Sequence, residues 1–243
     1  MSGERRVALV TGAASGIGAA ITARLERDGW DVLTVDLRGD VVFRADLTTR
    51  AGNSDAVAMA VERFGRLDAV IPNAGFQHVA PIEEFSEDRW DALIALLLTS
   101  PFLLARYAWP HLRASGSGRF VAIASVHGLV ASPYKVAYVS AKHGVLGLVK
   151  TLALEGAPHG ISATAVCPGY VRTPLVEGQI ADQAKAHGLS EDRVLEEVIL
   201  APQAVKRLIE PEEVAATVAF LLGPDGRAFT GAPVIMDQGW SAR

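Results

Sequence analysis

Cysteine is nearly missing from this chain. Cys167 stands alone among 243 residues, which excludes an intrachain disulfide framework and fits a reducing compartment, here expected to be the cytoplasm. Long apolar runs are missing as well. No uncharged stretch approaches the ~18 residues of a membrane span, and the opening MSGERRVALVTG lacks the apolar core of a secretory leader. There is no basic cluster, and a formal net charge of −4 removes the electrostatic case for nucleic acid. Neither a membrane nor a nucleic-acid partner is expected. Repeats, low-complexity tracts and linker-like segments are also lacking, so residues 1–243 read as one domain.

What remains is a chain in which half the residues are hydrophobic, enough to bury a large core. Short apolar runs alternate with helical patterns: Arg6–Val10, Asp31–Val35, Val41–Ala45, Leu67–Ile71, Phe120–Ala124, Ile161–Cys167 and Ala232–Met236. That alternation predicts an α/β fold, a doubly wound parallel sheet of the Rossmann type, with ligands at the carboxyl ends of the strands.

The first strand runs into Thr11-Gly12-Ala13-Ala14-Ser15-Gly16-Ile17-Gly18 and then a helix. Glycines 12, 16 and 18 suit a tight turn, close backbone approach to a diphosphate and close helix packing. The N–H groups at the helix start would carry the phosphates, with Ser15 and Ile17 beside them. Asp36 ends the second strand, about 20 positions past the glycines, where a carboxylate accepts from both ribose hydroxyls. A 2′-phosphate would be repelled there, so NAD is expected over NADP.

Only Leu37–Asp40 separates that strand from Val41–Ala45. A parallel crossover normally takes about a dozen residues or more, so a stunted edge strand without its helix is expected. Asp46 and Leu47 would follow it beside the adenine. Asn73-Ala74-Gly75 is a small-residue turn that lets a ribose come close. The helix after Ser86 runs to about Ala114 and carries Pro101, which should kink it.

Ser125 closes the fifth strand, and a helix begins near Val136 or Ala137. Tyr138 and Lys142 lie four apart on it, so their side chains leave from one face. An ammonium there should favour the phenolate and lower the tyrosine pKa. Pro168-Gly169 closes the next strand. Residues 170–210 interrupt the strand–helix alternation and read as a lid, with Leu175, Val176, Gln179 and Ile180 sharing a helix face.

Taken together, Thr11–Gly18, Asp36, Asn73-Ala74-Gly75, Ser125, Tyr138-x-x-x-Lys142 and Pro168-Gly169 resemble the short-chain dehydrogenase/reductase family over nearly the whole chain. The resemblance implies Tyr138 as general acid/base, Lys142 on the nicotinamide ribose, and Ser125 on the substrate oxygen. It also implies Val171 backbone and the Thr173 hydroxyl on the carboxamide.

Phe76–Phe85, His127–Ser132, Arg172–Glu177 and Gly239-Trp240 further resemble the D-3-hydroxybutyrate dehydrogenases within that family. That likeness implies interconversion of (R)-3-hydroxybutyrate and acetoacetate in a homotetramer. The substrate carboxylate would be gripped by Gln77, His127, Lys135 and Gln179, with Trp240 and Tyr170 shaping the pocket. No metal site is read.

Two positions depart from the pattern. Leu97 stands where the family has an asparagine, and Tyr170 where a tryptophan is usual. Pro101 has no N–H to give the Leu97 carbonyl, which would free that carbonyl for a water leading to Lys142. The competing readings are the same chemistry on another small hydroxy acid, alcohol or ketone, and an NAD-binding protein with little catalysis.

Overall fold

The computed structural model describes residues 5–187 and 189–242; Gly188, inside the expected lid, lies outside them. Seven strands form one sheet: β1 (Val7–Thr11), β2 (Asp31–Asp36), β3 (Phe43–Arg44), β4 (Ala69–Ile71), β5 (Arg119–Ile123), β6 (Ser162–Pro168) and β7 (Pro233–Met236). Their order is β3-β2-β1-β4-β5-β6-β7, and every neighbouring pair is parallel. The chain builds outward from β1 to β3, then returns to place β4 on the other side of β1. The carboxyl ends of β1 and β4 therefore flank a switch point, where such sheets bind ligands.

Strands β1, β5 and β6 are buried at every residue, as expected of strands covered on both faces. On one face, α2 (Arg50–Phe64), α4 (Ser100–Ala114) and α5 (Val136–Gly156) pack Val57, Leu104 and Val145 against Leu9, Leu33 and Phe120. On the other, α1 (Gly16–Arg27) and α8 (Pro211–Leu222) contribute Ile21, Leu25, Val214 and Val218. The doubly wound architecture is the expected one.

The β2–β3 connection is short and has no helix. Residues 37–42 turn on Gly39 (φ +85°), while Val42 N–H donates to Thr34 Oγ1 at 2.8 Å and Arg44 reaches the Gly39 carbonyl. β3 is two residues long and sits at the edge.

The long helix behaves differently from expectation. It starts at Ser86, whose hydroxyl accepts from Arg89 N–H, and runs as α3 (Glu87–Ile94). The interruption is a π-turn at Ala95–Thr99, not a kink centred on Pro101. Pro101 is the second residue of α4, where the continuous helix emerges from the π-turn, so its missing N–H falls at the change of hydrogen-bond register. A second proline, Pro110, lies inside α4.

By length and composition Glu87–Ala114 could cross a membrane. Its apolar residues Leu93, Leu97, Leu104 and Leu112 are instead packed in the protein core.

Beyond β6 come α6 (Pro174–His187), α7 (Glu191–Val194) and a π-turn at Leu195–Ile199. Val176 and Ile180 join Val194, Ile199, Leu200 and Leu208 in a separate apolar cluster. Leu175 does not share that buried face: it is 42% exposed and lines the cleft described next.

Candidate active site

The carboxyl ends of the strands open on a cleft of about 480 Å³. One end is lined by Gly12, Ser15, Gly16, Ile17, Asp36, Asp46 and Leu47; the other by Ser125, Tyr138, Lys142, Pro168, Gly169, Val171 and Thr173. Asn73, Ala74 and Gly75 line it as well.

Glycines shape the first end. Gly12 and Gly16 have φ of +65° and +52°, a region disfavoured for residues with a Cβ. A Cβ on Gly18 would collide with the Gly12 carbonyl, which packs the helix hard against the loop. Asn73 holds that loop from β4, donating through Nδ2 to the Thr11 and Gly12 carbonyls at 2.9 and 3.2 Å. Thr11 Oγ1 accepts from Asn73 and Ala74 N–H at 2.9 and 3.0 Å. Thr11 opens the glycine-rich motif, but this bracing role was not read from the sequence.

A dinucleotide fits this cradle. The first turn of α1 has no side-chain cap bond and no acidic residue, so its N–H groups are available to a diphosphate. Asp36 accepts from Ala14 N–H through Oδ2 at 3.1 Å and from Leu37 N–H through Oδ1 at 2.7 Å. A carboxylate has about four lone-pair sites, which leaves room for ribose hydroxyls. Asp46 is committed to its own turn, accepting from Thr48 N–H and Oγ1 at 2.9 and 2.6 Å. It lines the cleft beside Asp36 and Leu47.

At the other end, Tyr138 and Lys142 leave one face of α5, but their relation differs from the expected one. Lys142 Nζ donates to the Ile123 carbonyl at 2.7 Å and lies 5.5 Å from the Tyr138 ring centre. Burial pushes the Tyr138 phenol up to about 12, opposed by a hydrogen bond with Ser125. Burial also lowers the Lys142 ammonium to about 8. Burial acts on the phenol in the direction opposite to the expected depression by the lysine, whose ammonium is turned toward a carbonyl.

Ser125 Oγ accepts from His127 N–H at 3.2 Å and lies 3.4 Å from His127 Nδ1. His127 Nε2 is 2.9 Å from Ser132 Oγ, a partner that nothing in the sequence signalled. Burial, with Lys135 and His143 nearby, lowers the imidazole to about 3 and keeps it neutral.

The His127 ring meets Tyr138 edge-on at 5.9 Å and Trp240 at 5.3 Å. Trp240 stacks on Tyr170 at 5.6 Å, and Lys135 Nζ donates to Tyr170 Oη at 3.1 Å. His127, Lys135, Tyr170 and Trp240 are thus brought together against Tyr138. Of these five residues, Tyr138 borders the cleft directly.

Gln77 and Gln179 are less well joined to this group. Gln77 Oε1 accepts from His78 N–H at 3.0 Å, though its loop is tied to the Lys135 loop by Ala80 N–H on the Tyr134 carbonyl. Gln179 Oε1 is buried without a partner.

Leu97 packs its side chain against Gly75 and joins Leu93, Ala137 and Ala141 beside Tyr138. Behind it, Leu97, Ser100, Pro101, Ile123 and Lys142 enclose a small cavity with about 10 Å³ open to the centre of a water molecule.

A Rossmann sheet, a glycine-rich dinucleotide cradle and a Ser–Tyr–Lys group at one cleft define a nicotinamide-dependent oxidoreductase. The chain belongs to the short-chain dehydrogenase/reductase family. A family model described as enoyl-(acyl carrier protein) reductase matches residues 12–241.

The chain is 43% identical to the D-beta-hydroxybutyrate dehydrogenase of Rhizobium meliloti (strain 1021), over 98% of this chain and 99% of that one. It is 39% identical to the D-beta-hydroxybutyrate dehydrogenase of Cupriavidus necator, over 98% of each. Among solved structures, the ligand-free aldohexose dehydrogenase of Thermoplasma acidophilum superposes with a TM-score of 0.92 at 28% identity, covering 99% of this chain and 95% of that one.

Proposed function

We propose that this enzyme interconverts (R)-3-hydroxybutyrate and acetoacetate, prefers NAD to NADP, and uses Tyr138 as its general acid/base. The observation that carries the substrate reading is Lys135. It is 6% exposed, and its ammonium is bonded to the neutral Tyr170 hydroxyl. Among the described residues no carboxylate pairs with it. A buried cation without a counter-charge is costly, and a carboxylate ligand would relieve it. Tyr170, Trp240 and His127 link it to Tyr138, a placement that suits a short acid carrying its hydroxyl a few atoms from the carboxylate.

The cofactor, when bound, supplies the hydride acceptor or donor. The chain supplies the rest. In reduction the neutral Tyr138 phenol gives its proton to the forming alkoxide; in oxidation it takes the proton back. Ser125 holds the same oxygen. The Nδ1-protonated tautomer of His127, with Ser132 donating to Nε2, leaves the Ser125 proton free for that oxygen. Lys142, anchored on the Ile123 carbonyl, places its charge beside the ribose end of the cleft. Asp36, already oriented by Ala14 and Leu37 N–H groups, is the basis of the NAD preference.

The assembly we propose is a homotetramer. Exposed Trp90 and Phe102 on α3 and α4, and exposed Phe220, Phe229 and Ile235 at the β7 edge, offer two separate apolar faces, as a closed four-chain assembly requires. Light scattering should give four times the 25.7 kDa chain mass; a monomer would contradict the assembly.

The substrate reading is tested at Lys135. Lys135→Met should raise KM for (R)-3-hydroxybutyrate by ~10–100-fold, the scale of a lost charged hydrogen bond. An unchanged KM would overturn it.

A further inference from the structure

Among the described residues, the buried side-chain nitrogen and oxygen atoms without a partner are Arg119 Nε, Gln179 Oε1, and both Gln203 Oε1 and Nε2. Arg119 is otherwise well held, donating to the Ser117, Gly118 and Gly223 carbonyls. The other three atoms belong to two glutamines of one packed unit beyond β6. An amide that gives up water and gains nothing destabilises the fold, and such exceptions in native proteins need a reason.

Gln203 is the sharper case, because it is 0% exposed and neither end of its amide is paired. Its backbone is firmly placed. Gln203 N–H donates to the Leu200 carbonyl at 3.1 Å, and the next two N–H groups, of Ala204 and Val205, both reach the Gln238 carbonyl. Lys206 Nζ closes the same turn on the Leu200 and Ala201 carbonyls. At Gly239 an added Cβ would stand 2.9 Å from Ala204 Cβ, so the two segments approach closely.

Gln203 is therefore clamped between two structures. On one side is the apolar cluster of Leu200 and Leu208, which also holds Val176 and Ile180 on either side of Gln179 and has Tyr170 packed against it. On the other is the loop ending in Trp240, which stacks on Tyr170 and meets His127. Both structures converge on the wall that carries Lys135.

We propose that Gln203 is a substrate-binding residue whose amide N–H groups donate to the carboxylate of a short hydroxy acid, alongside Gln179 and Lys135. The inference rests on the carboxylate reading of the site. The amide also offers an acceptor, which a water carried with the acid would satisfy. A violation of polar pairing kept at such a place is the mark of a group reserved for a ligand.

The test uses Gln203→Leu, with Gln203→Met as a second apolar residue of similar length. Removing two unpaired atoms without opening a cavity should leave Tm equal or higher. The ratio of kcat/KM for (R)-3-hydroxybutyrate to that for 2-butanol should fall by ~10–100-fold, while NADH binding to the full enzyme is unchanged. A ratio within twofold of the unaltered enzyme overturns the proposal. So does a fall in Tm in both variants with equal losses on the two substrates, since that is the behaviour of a structural residue.

The unaltered enzyme and Lys135→Met separate this from failure of the underlying reading. If the unaltered enzyme does not prefer the acid and Lys135→Met changes nothing, the carboxylate reading fails and takes Gln203 with it. If both hold and Gln203→Leu is silent, the Gln203 proposal fails alone.

Discussion

Lys142 and Tyr138 share one face of α5, yet the lysine ammonium bonds the Ile123 carbonyl at 2.7 Å and leaves the phenol to Ser125. The phenol is thus neutral in the free protein and ready to donate.

Tyr138→Phe should reduce turnover at least ~10²-fold, the lower range for a general acid/base, while NADH binding stays within about twofold because the ring is kept. In the unaltered enzyme, oxidation should accelerate as pH rises through neutrality, since the base form of a phenol pushed up to about 12 grows ~tenfold per unit. Reduction should lack that rise. Stopped-flow hydride transfer in both directions checks this, and a Tyr138→Phe variant with most of its activity would refute the assignment.

His127 predicts an acid weakness in stability. Its folded pKa is about 3 against an ordinary 6.5, so the unfolded chain binds the extra proton first. The contribution is intact above pH 6.5 and is lost progressively as pH falls toward 3. Between pH 7 and pH 5 the cost is about 2 kcal/mol. His127→Gln should lose less stability than the unaltered protein over that interval in denaturant titrations; parallel losses would show that the imidazole does not titrate as described.

Asp36→Ala should lower kcat/KM with NAD by ~10–100-fold, the scale of lost hydrogen bonds to a charged acceptor, and change NADP use far less. Equal efficiency with NAD and NADP in the unaltered enzyme would remove the role given to Asp36.

The cavity between Pro101 and Lys142 has about the smallest volume that holds one water. A high-resolution crystal structure should show a water there, within hydrogen-bonding distance of Lys142 Nζ. Pro101→Ala, which restores an N–H where α4 leaves the π-turn, should lower kcat several-fold with little change in KM. A dry cavity and an unaffected kcat would leave Pro101 a purely structural residue.

Much of this was legible in the sequence, for physical reasons. Strands buried on both faces show as apolar runs; Gly12 and Gly16 are fixed by their positive φ, and Gly18 by its close approach to the Gly12 carbonyl. The missing β2–β3 helix was visible as a shortage of residues. Less legible were effects that depend on which group wins in three dimensions. Spacing put Lys142 near Tyr138 but could not show the Ile123 carbonyl capturing the ammonium, nor burial raising the phenol. Pro101 marked a helix disturbance, yet the π-turn lies at residues 95–99, where no proline stands. Gln203 gave no signal, because an unpaired amide is recognised only once its surroundings are known.

The most direct test is the initial rate of NADH formation with (R)-3-hydroxybutyrate, its S enantiomer and 2-butanol, at saturating NAD. The carboxylate pocket around Lys135, with Tyr138 as acid/base and Ser125 holding the reacting oxygen, predicts kcat/KM for the R acid at least ~10²-fold above 2-butanol, because binding energy from the carboxylate aligns the reacting carbon. Comparable values for the R acid and 2-butanol would contradict the proposed function.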